Sequence, residues 1–214
     1  LEIATLCKEY DAYLHSDTVQ TVGHLRIDLQ KLPIDYLVAS AHKFHGPKGV
    51  GFLFVRKHCR FTPFFFGGSQ EKKLRAGTEN VAGIIGMMKA FELAYENLEK
   101  EEIQFKRLKN YFLDEIEKRL EFINRNGTKN ESLNNIISLS IPSEKSNTML
   151  LFSLDLKGIC VSGGSACGSG ATKSHVVEAL SIDSKIDVLR ISLSRFNTKD
   201  ELDILLNELE KQFR

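Results

Sequence analysis

Apolar and polar positions change their period several times along the chain, and each change marks an element. Residues 1–10 carry apolar positions at helical spacing, and residues 12–15 read as a short strand. Residues 34–40 and 49–55 are apolar runs of strand length, the second rich in β-branched and aromatic residues. Gly46, Pro47 and Gly49 between them mark a tight connection. The pair is therefore expected to form a hairpin, an antiparallel edge on a mainly parallel sheet. From Asn80 to Leu120 the period becomes helical. Val81, Ile84, Ile85, Met88, Phe91 and Leu98 form one apolar stripe. Ile103, Phe105, Leu108, Phe112, Ile116 and Leu120 form a second, interleaved with Lys and Glu. That span is too long for one ordinary globular helix, which predicts a bend at residues 97–100. Beyond it the pattern alternates: strand over 133–141, helix over 148–156, strand over 159–162, helix over 174–180, strand over 188–193. Thr198 and Glu201 spell a capping box at the head of a last helix, whose buried stripe is Leu202, Leu205, Leu206, Leu209 and Phe213.

This order predicts an α/β chain in two parts, a sheet-bearing part of a larger domain over 1–97 and a smaller α+β domain over 98–214. A length of 214 residues is enough to bury such cores. The net charge of +1 offers no electrostatic footprint for nucleic acid, so that class of partner is set aside. No apolar run reaches the roughly 18 residues of a membrane-spanning helix. Cys7, Cys59, Cys160 and Cys167 are scattered, with no CxxC pair and no zinc-finger spacing. They read as thiols of a reducing, cytoplasmic compartment.

The chemistry-bearing stretch is 40–51, where Lys43 stands between His42 and His45 at the end of an apolar strand. Lysine is rarely buried, and a desolvated amine has a lowered pKa and can condense with an aldehyde. The competing reading is a lysine that simply reaches from a strand end into water. A phosphate loop is excluded, because Phe52 follows Gly51 where that motif requires Gly-Lys-Ser/Thr. His42 and His45 lack a companion ligand at metal-binding spacing. Asp17 and Gln20 follow the strand at 12–15, at the carboxyl end where open α/β sheets hold ligands; taken alone, Asp17 reads first as a local turn cap. The loop at 162–170 is built of small residues that leave nothing to bury Cys167, and Lys173 and His175 are near in sequence, a setting suited to a nucleophilic thiol. Cys7, Cys59 and Cys160 read as structural, and a disulfide between Cys160 and Cys167 remains open. The aromatic run at 61–66 is expected to be buried at a subunit contact. Arg195 reads as a salt-bridge residue.

Five segments taken together, 15–20, 40–49, 75–80, 165–167 and 189–193, resemble in order the motifs of cysteine desulfurases of the NifS/IscS type. These are pyridoxal-phosphate enzymes of the class-V aminotransferase family with the fold-type I architecture. The resemblance runs nearly the whole chain and matches the C-terminal half of such a protein, so an N-terminal half is expected to be missing. It implies that Lys43 holds pyridoxal 5'-phosphate and moves the substrate proton. Asp17 would pair with the ring nitrogen and Gln20 with the ring's phenolic oxygen. Ser40 and His42 would bind the phosphate, and Thr78 that of a partner subunit, which implies a homodimer. Arg190 would hold the carboxylate of L-cysteine. Cys167 would take its sulfur, leaving L-alanine and a persulfide for an acceptor such as an iron–sulfur scaffold protein. Thr172, Lys173 and Ser174 stand where the family has Glu-Pro-Ser, a departure in the cysteine loop. A selenocysteine lyase or another fold-type I lyase is the neighbouring expectation. A non-catalytic fragment acting only in dimerisation or interaction is the expectation from another class.

Overall fold

A computed structural model describes residues 1–128, 132–142, 150–163, 179 and 186–213. They divide into Leu1–Glu99 and Lys100–Arg214.

The first unit opens with α1 (Glu2–Glu9), then β1 (His15–Asp17), β2 (Tyr36–Ser40) and β3 (Gly51–Val55). β1 lies further along than its apolar content predicts. Its start is set by pairing: the Asp35 carboxylate accepts from the Leu14 amide at 2.8 Å, the Leu14 carbonyl accepts from the Asp35 and Tyr36 amides, and the parallel register then begins at His15 opposite Tyr36. β2 pairs antiparallel with β3, so β3 is an antiparallel edge beside a parallel pair, as expected. Gly51 faces Ser40 in that ladder, and a Cβ there would lie 2.4 Å from the Ala39 carbonyl oxygen, so only glycine allows the close approach. Leu37 and Ala39 point from β2 into a core shared with Val22, Ala41, Phe44, Ala90 and Ala94.

Two helices fill the long helical span. α2 (Val81–Glu96) is capped by Asn80, whose Oδ1 accepts from the Gly83 amide at 3.1 Å, and it stops at Asn97. α3 (Leu98–Arg119) follows at once, which places the break in the expected stretch. The apolar stripe assigned here is buried only in part: Leu98 is inside and Phe91 packs on the core, but the N-terminal half of the stripe is not the face α2 buries. Gly83, Ala90 and Ala94 are inside, whereas Val81, Ile84, Ile85 and Met88 are exposed. The reason is distance: α2 approaches the segment after β2 so closely that a Cβ on Gly86 would lie 2.7 Å from Pro47, and only a small-residue face fits. Phe64, Phe65 and Phe66 are exposed in the single chain, where the subunit contact expected to cover them is not present.

In the second unit, Phe105, Leu108, Phe112 and Ile116 of α3 pack on a four-stranded antiparallel sheet of order β4-β5-β7-β6. Its strands are β4 (Asn124–Arg125), β5 (Ile136–Pro142), β6 (Ser162–Gly163) and β7 (Ile186–Ser192). Ile103, assigned to the same stripe, is exposed. α4 (Leu150–Asp155) and α5 (Lys199–Phe213) complete the unit, and α5 buries Leu202, Leu205, Leu206 and Leu209. The capping box is present: the Thr198 amide donates to Glu201 Oε2 at 2.8 Å, and the Glu201 amide to Thr198 Oγ1 at 3.3 Å. The strand expected at 159–162 begins only at Ser162. Ile159 instead closes α4, its amide donating to the Leu154 carbonyl at 3.0 Å while that of Gly158, at φ 73°, donates to Asp155 at 2.8 Å. The helix expected at 174–180 lies outside the described residues but for Ala179.

Candidate active site

β1 and β2 run parallel with Asp17 opposite Val38, so Asp17 and Ser40 stand at the same, carboxyl-terminal edge of the pair. Thr18 locks that edge, its hydroxyl and its amide both donating to the Val38 carbonyl, at 2.6 and 3.0 Å. The chain then leaves β2 through a 3-10 turn, Ala41–Phe44, which carries His42 and Lys43. Ala41 is fully buried and Phe44 nearly so, the latter edge-on to Phe91 with ring centroids 6.0 Å apart. The amide of Ala41 donates to Val50 at 3.0 Å and that of Gly46 to Ala41 at 2.8 Å. Gly23, at φ 81°, comes so near that a Cβ would lie 2.6 Å from that of Phe44. Lys43 is therefore held through its neighbours, alternating outward from two buried anchors, with its own side chain half-buried.

His24 adds a restraint that sequence reasoning missed. Its Nε2 lies 3.1 Å from the Lys43 carbonyl oxygen, hydrogen-bond distance, across 19 residues of chain. No periodicity marks such a contact; it exists because the loop after β1 folds back over the turn after β2.

The remaining residues fall into two groups. Asp17 is exposed, and its Oδ1 accepts from the Val19 amide at 3.0 Å, so one oxygen serves as the local cap that was the rival reading. Gln20 is exposed on the following turn, Ser40 is half-buried and His42 exposed. Thr78 stands exposed on the loop before α2, after Gly77 at φ 101°. In the second unit Arg190 lies in β7 between Ser138 and Ser162 of its neighbours, and its Nε is buried without a hydrogen-bond partner among the described residues. Cys167 lies outside the described residues. Cys160, read as a core thiol, is exposed, because the strand meant to bury it does not begin there. Arg195 pairs with the buried Glu101, Nε to Oε1 at 3.1 Å.

Burial as an argument for an unusual lysine applies elsewhere. Among the described residues Lys109 is the buried lysine: it donates to Ser132 Oγ at 2.8 Å and to the Leu133 carbonyl at 2.7 Å, and burial, followed by the Arg125 charge, lowers its pKa. That lysine is structural, tied into a loop of the second unit.

A carboxylate and a hydroxyl at one sheet edge, with an amine and an imidazole on the turn that follows, are residue types that suit an aldehyde-bearing, anionic, aromatic cofactor, and an Arg190 Nε without a partner among the described residues suits a carboxylate ligand. The chain belongs to the aminotransferase class-V family, which matches residues 1–205. Within that family it is similar to the cysteine desulfurase IscS of Dictyoglomus turgidum (strain DSM 6724 / Z-1310), 45% identical over 213 residues, 98% of this chain and 54% of that protein. The cysteine desulfurase IscS of Methanosarcina thermophila is 40% identical over 208 residues, 96% of this chain and 51% of that protein. Among solved structures, the NifS-like protein from Rickettsia africae ESF-5 superposes with a TM-score of 0.89 at 30% identity, covering 99% of this chain and 56% of that one. The chain spans about half the length of the curated relatives it matches. Its fold is that of the corresponding part of these fold-type I enzymes. No helix among the described residues is long and apolar enough to cross a membrane.

Proposed function

We propose that the chain carries the catalytic lysine and cysteine of a cysteine desulfurase that converts L-cysteine to L-alanine and passes the sulfur on as a persulfide. The observation that carries this reading is the buried-anchor turn carrying Lys43, which follows the carboxyl end of β2, the edge at which β1 ends in Asp17. Its similarity to IscS proteins supports the choice of substrate.

In this reading the Lys43 amine holds pyridoxal phosphate and carries the proton to and from the substrate Cα. The bound cofactor supplies an electron sink for the charge left at that carbon. The Asp17 carboxylate keeps the ring nitrogen positive, and the Gln20 amide donates to the phenolic oxygen. The Ser40 hydroxyl, the His42 imidazole and, from a partner subunit in a homodimer, Thr78 donate to the phosphate. Arg190 pairs in a planar fork with the substrate carboxylate. The Cys167 thiolate attacks the substrate sulfur: an S–S bond forms, the Cβ–S bond breaks with its electron pair returning to carbon, and a proton completes alanine. A sulfur acceptor, such as an iron–sulfur scaffold protein of the cytoplasm, then takes the persulfide sulfur.

The test is an absorbance titration of the purified protein with pyridoxal phosphate, alongside its intact mass and an assay of sulfur release from L-cysteine. We expect a cofactor band near the visible edge that disappears in Lys43→Ala. Cys167→Ser is expected to keep the band and lose persulfide formation. Sulfur release unchanged in Cys167→Ser overturns the nucleophile assignment. A missing band in a protein whose mass matches these 214 residues alone shows that this length does not complete the site.

A further inference from the structure

At the opposite end of β2 from Lys43, three side chains of different donor type converge. Asp35 precedes β2, and His58 and Cys59 follow β3, so the group closes the open base of the hairpin. His58 Nε2 lies 3.2 Å from Asp35 Oδ1, and Cys59 Sγ lies 3.4 Å from the same oxygen. All three ligand atoms fall within 4.8 Å of one another. A tetrahedral zinc ion, with bonds of about 2.0 Å to N and O and about 2.3 Å to S, separates nitrogen from oxygen by about 3.3 Å and sulfur from oxygen by about 3.5 Å. The two separations from Asp35 Oδ1, which without a metal are an ion pair and a hydrogen bond, match those between zinc ligands, and the third lies within 4.8 Å.

We infer that Asp35, His58 and Cys59 form a zinc site with one coordination position left open to solvent. The carboxylate is prepared for the role: its Oδ2 accepts from the Leu14 amide at 2.8 Å, which orients Oδ1 toward His58 and Cys59. A backbone donor of this kind is what holds a monodentate carboxylate in register for a metal. Asp35 is largely buried and Cys59 half-buried, while His58 is exposed, so an ion can enter from the solvent side. Imidazole and thiolate together select zinc over magnesium or calcium, which take oxygen ligands. Binding ties residue 35 to residues 58 and 59 and so fixes the two ends of the hairpin that carries Lys43. Cysteine spacing gives no hint of the site, because only one ligand is a cysteine and the carboxylate comes from the far strand.

Zinc titration of the purified, metal-stripped protein against a chromogenic chelator tests this, with cobalt substitution as the second readout. The expected result is one tight zinc, a thermal midpoint raised by zinc, and a thiolate-to-cobalt charge-transfer band. Cys59→Ser and His58→Gln, both made away from the Asp35–Leu14 anchor and checked for folding by circular dichroism, should each weaken zinc by roughly tenfold or more. The charge-transfer band should vanish in Cys59→Ser and persist in Cys7→Ser, Cys160→Ser and Cys167→Ser. Zinc affinity unchanged in Cys59→Ser and His58→Gln overturns the site, as does the absence of tight zinc in the unaltered protein. The proposal stands apart from the desulfurase reading, since none of its residues lies at the Lys43 edge.

Discussion

The two units build their cores in opposite ways. The first packs Ala39, Ala41, Ala90 and Ala94 around Leu37, Val22 and Phe44, with Gly23 and Gly86 drawn into close contact, and leaves Ile84, Ile85, Met88 and Phe64 to Phe66 exposed. The second fills its interior with large side chains, Phe105, Phe112, Ile137, Leu139, Leu189, Leu206 and Leu209 among them. One interior is made by close backbone approach, the other by side-chain volume. The first should therefore break when atoms are added, and the second when they are removed.

The largest effect is expected for Phe112→Ala in the second unit, where a fully buried ring is lost. It should cost about 3–5 kcal/mol in denaturant unfolding. A loss under about 1 kcal/mol would mean that this core collapses around the gap, and the contrast would fail. Ala94→Leu tests the other side. Ala94 is fully buried in the first unit, and the extra methylenes should cost about 1–3 kcal/mol. Stabilisation instead would show slack where tight approach is argued.

A smaller effect is pH-dependent, and depressed carboxyls occur in both units, Asp35 of the first being held low by the Leu14 amide. On α5, hydrogen bonds from Lys157 and Lys211 hold the Glu208 carboxyl below its ordinary 4.5, and those from Lys199 and Tyr111 hold Asp203 below 3.8. A carboxyl depressed in the folded state stabilises above its unfolded value, and that contribution disappears as pH falls through the folded one. The second unit should thus lose stability as pH drops below 4.5, and Lys157→Met should flatten that dependence. An identical acid profile for Lys157→Met, read by thermal unfolding at stepped pH, would remove this ion pair from the account.

Much of the layout was legible in sequence because it rests on local rules. The hairpin of β2 and β3, the break at Asn97 and the capping box of Thr198 and Glu201 follow from turn residues, helix length and cap chemistry, which act over a few positions. The α5 stripe came out right because its Leu positions have one face to bury and a sheet to bury it on. The α2 stripe did so only at Phe91 and Leu98. Periodicity finds an apolar face but does not say whether a neighbour requires a small one, and here Pro47 and the turn at Ala41–Phe44 do. Ile159 was read as strand because its apolar run is too short to distinguish a strand start from the hydrophobic residue that closes a helix after a left-handed glycine.

The candidate site divides along the same line. By itself the sequence determined which residue types are present and in what order: a lysine turn, an acidic strand end, a small-residue cysteine loop and an arginine in a strand. Only the tertiary structure decided that Asp17 and Ser40 share an edge, that His24 meets the Lys43 carbonyl, that Lys109 and not Lys43 is the buried lysine, and that Asp35 meets His58 and Cys59. Each of these depends on strand register and on loops folding back across 19 or more residues, and side chains that far apart leave no periodic trace in the chain.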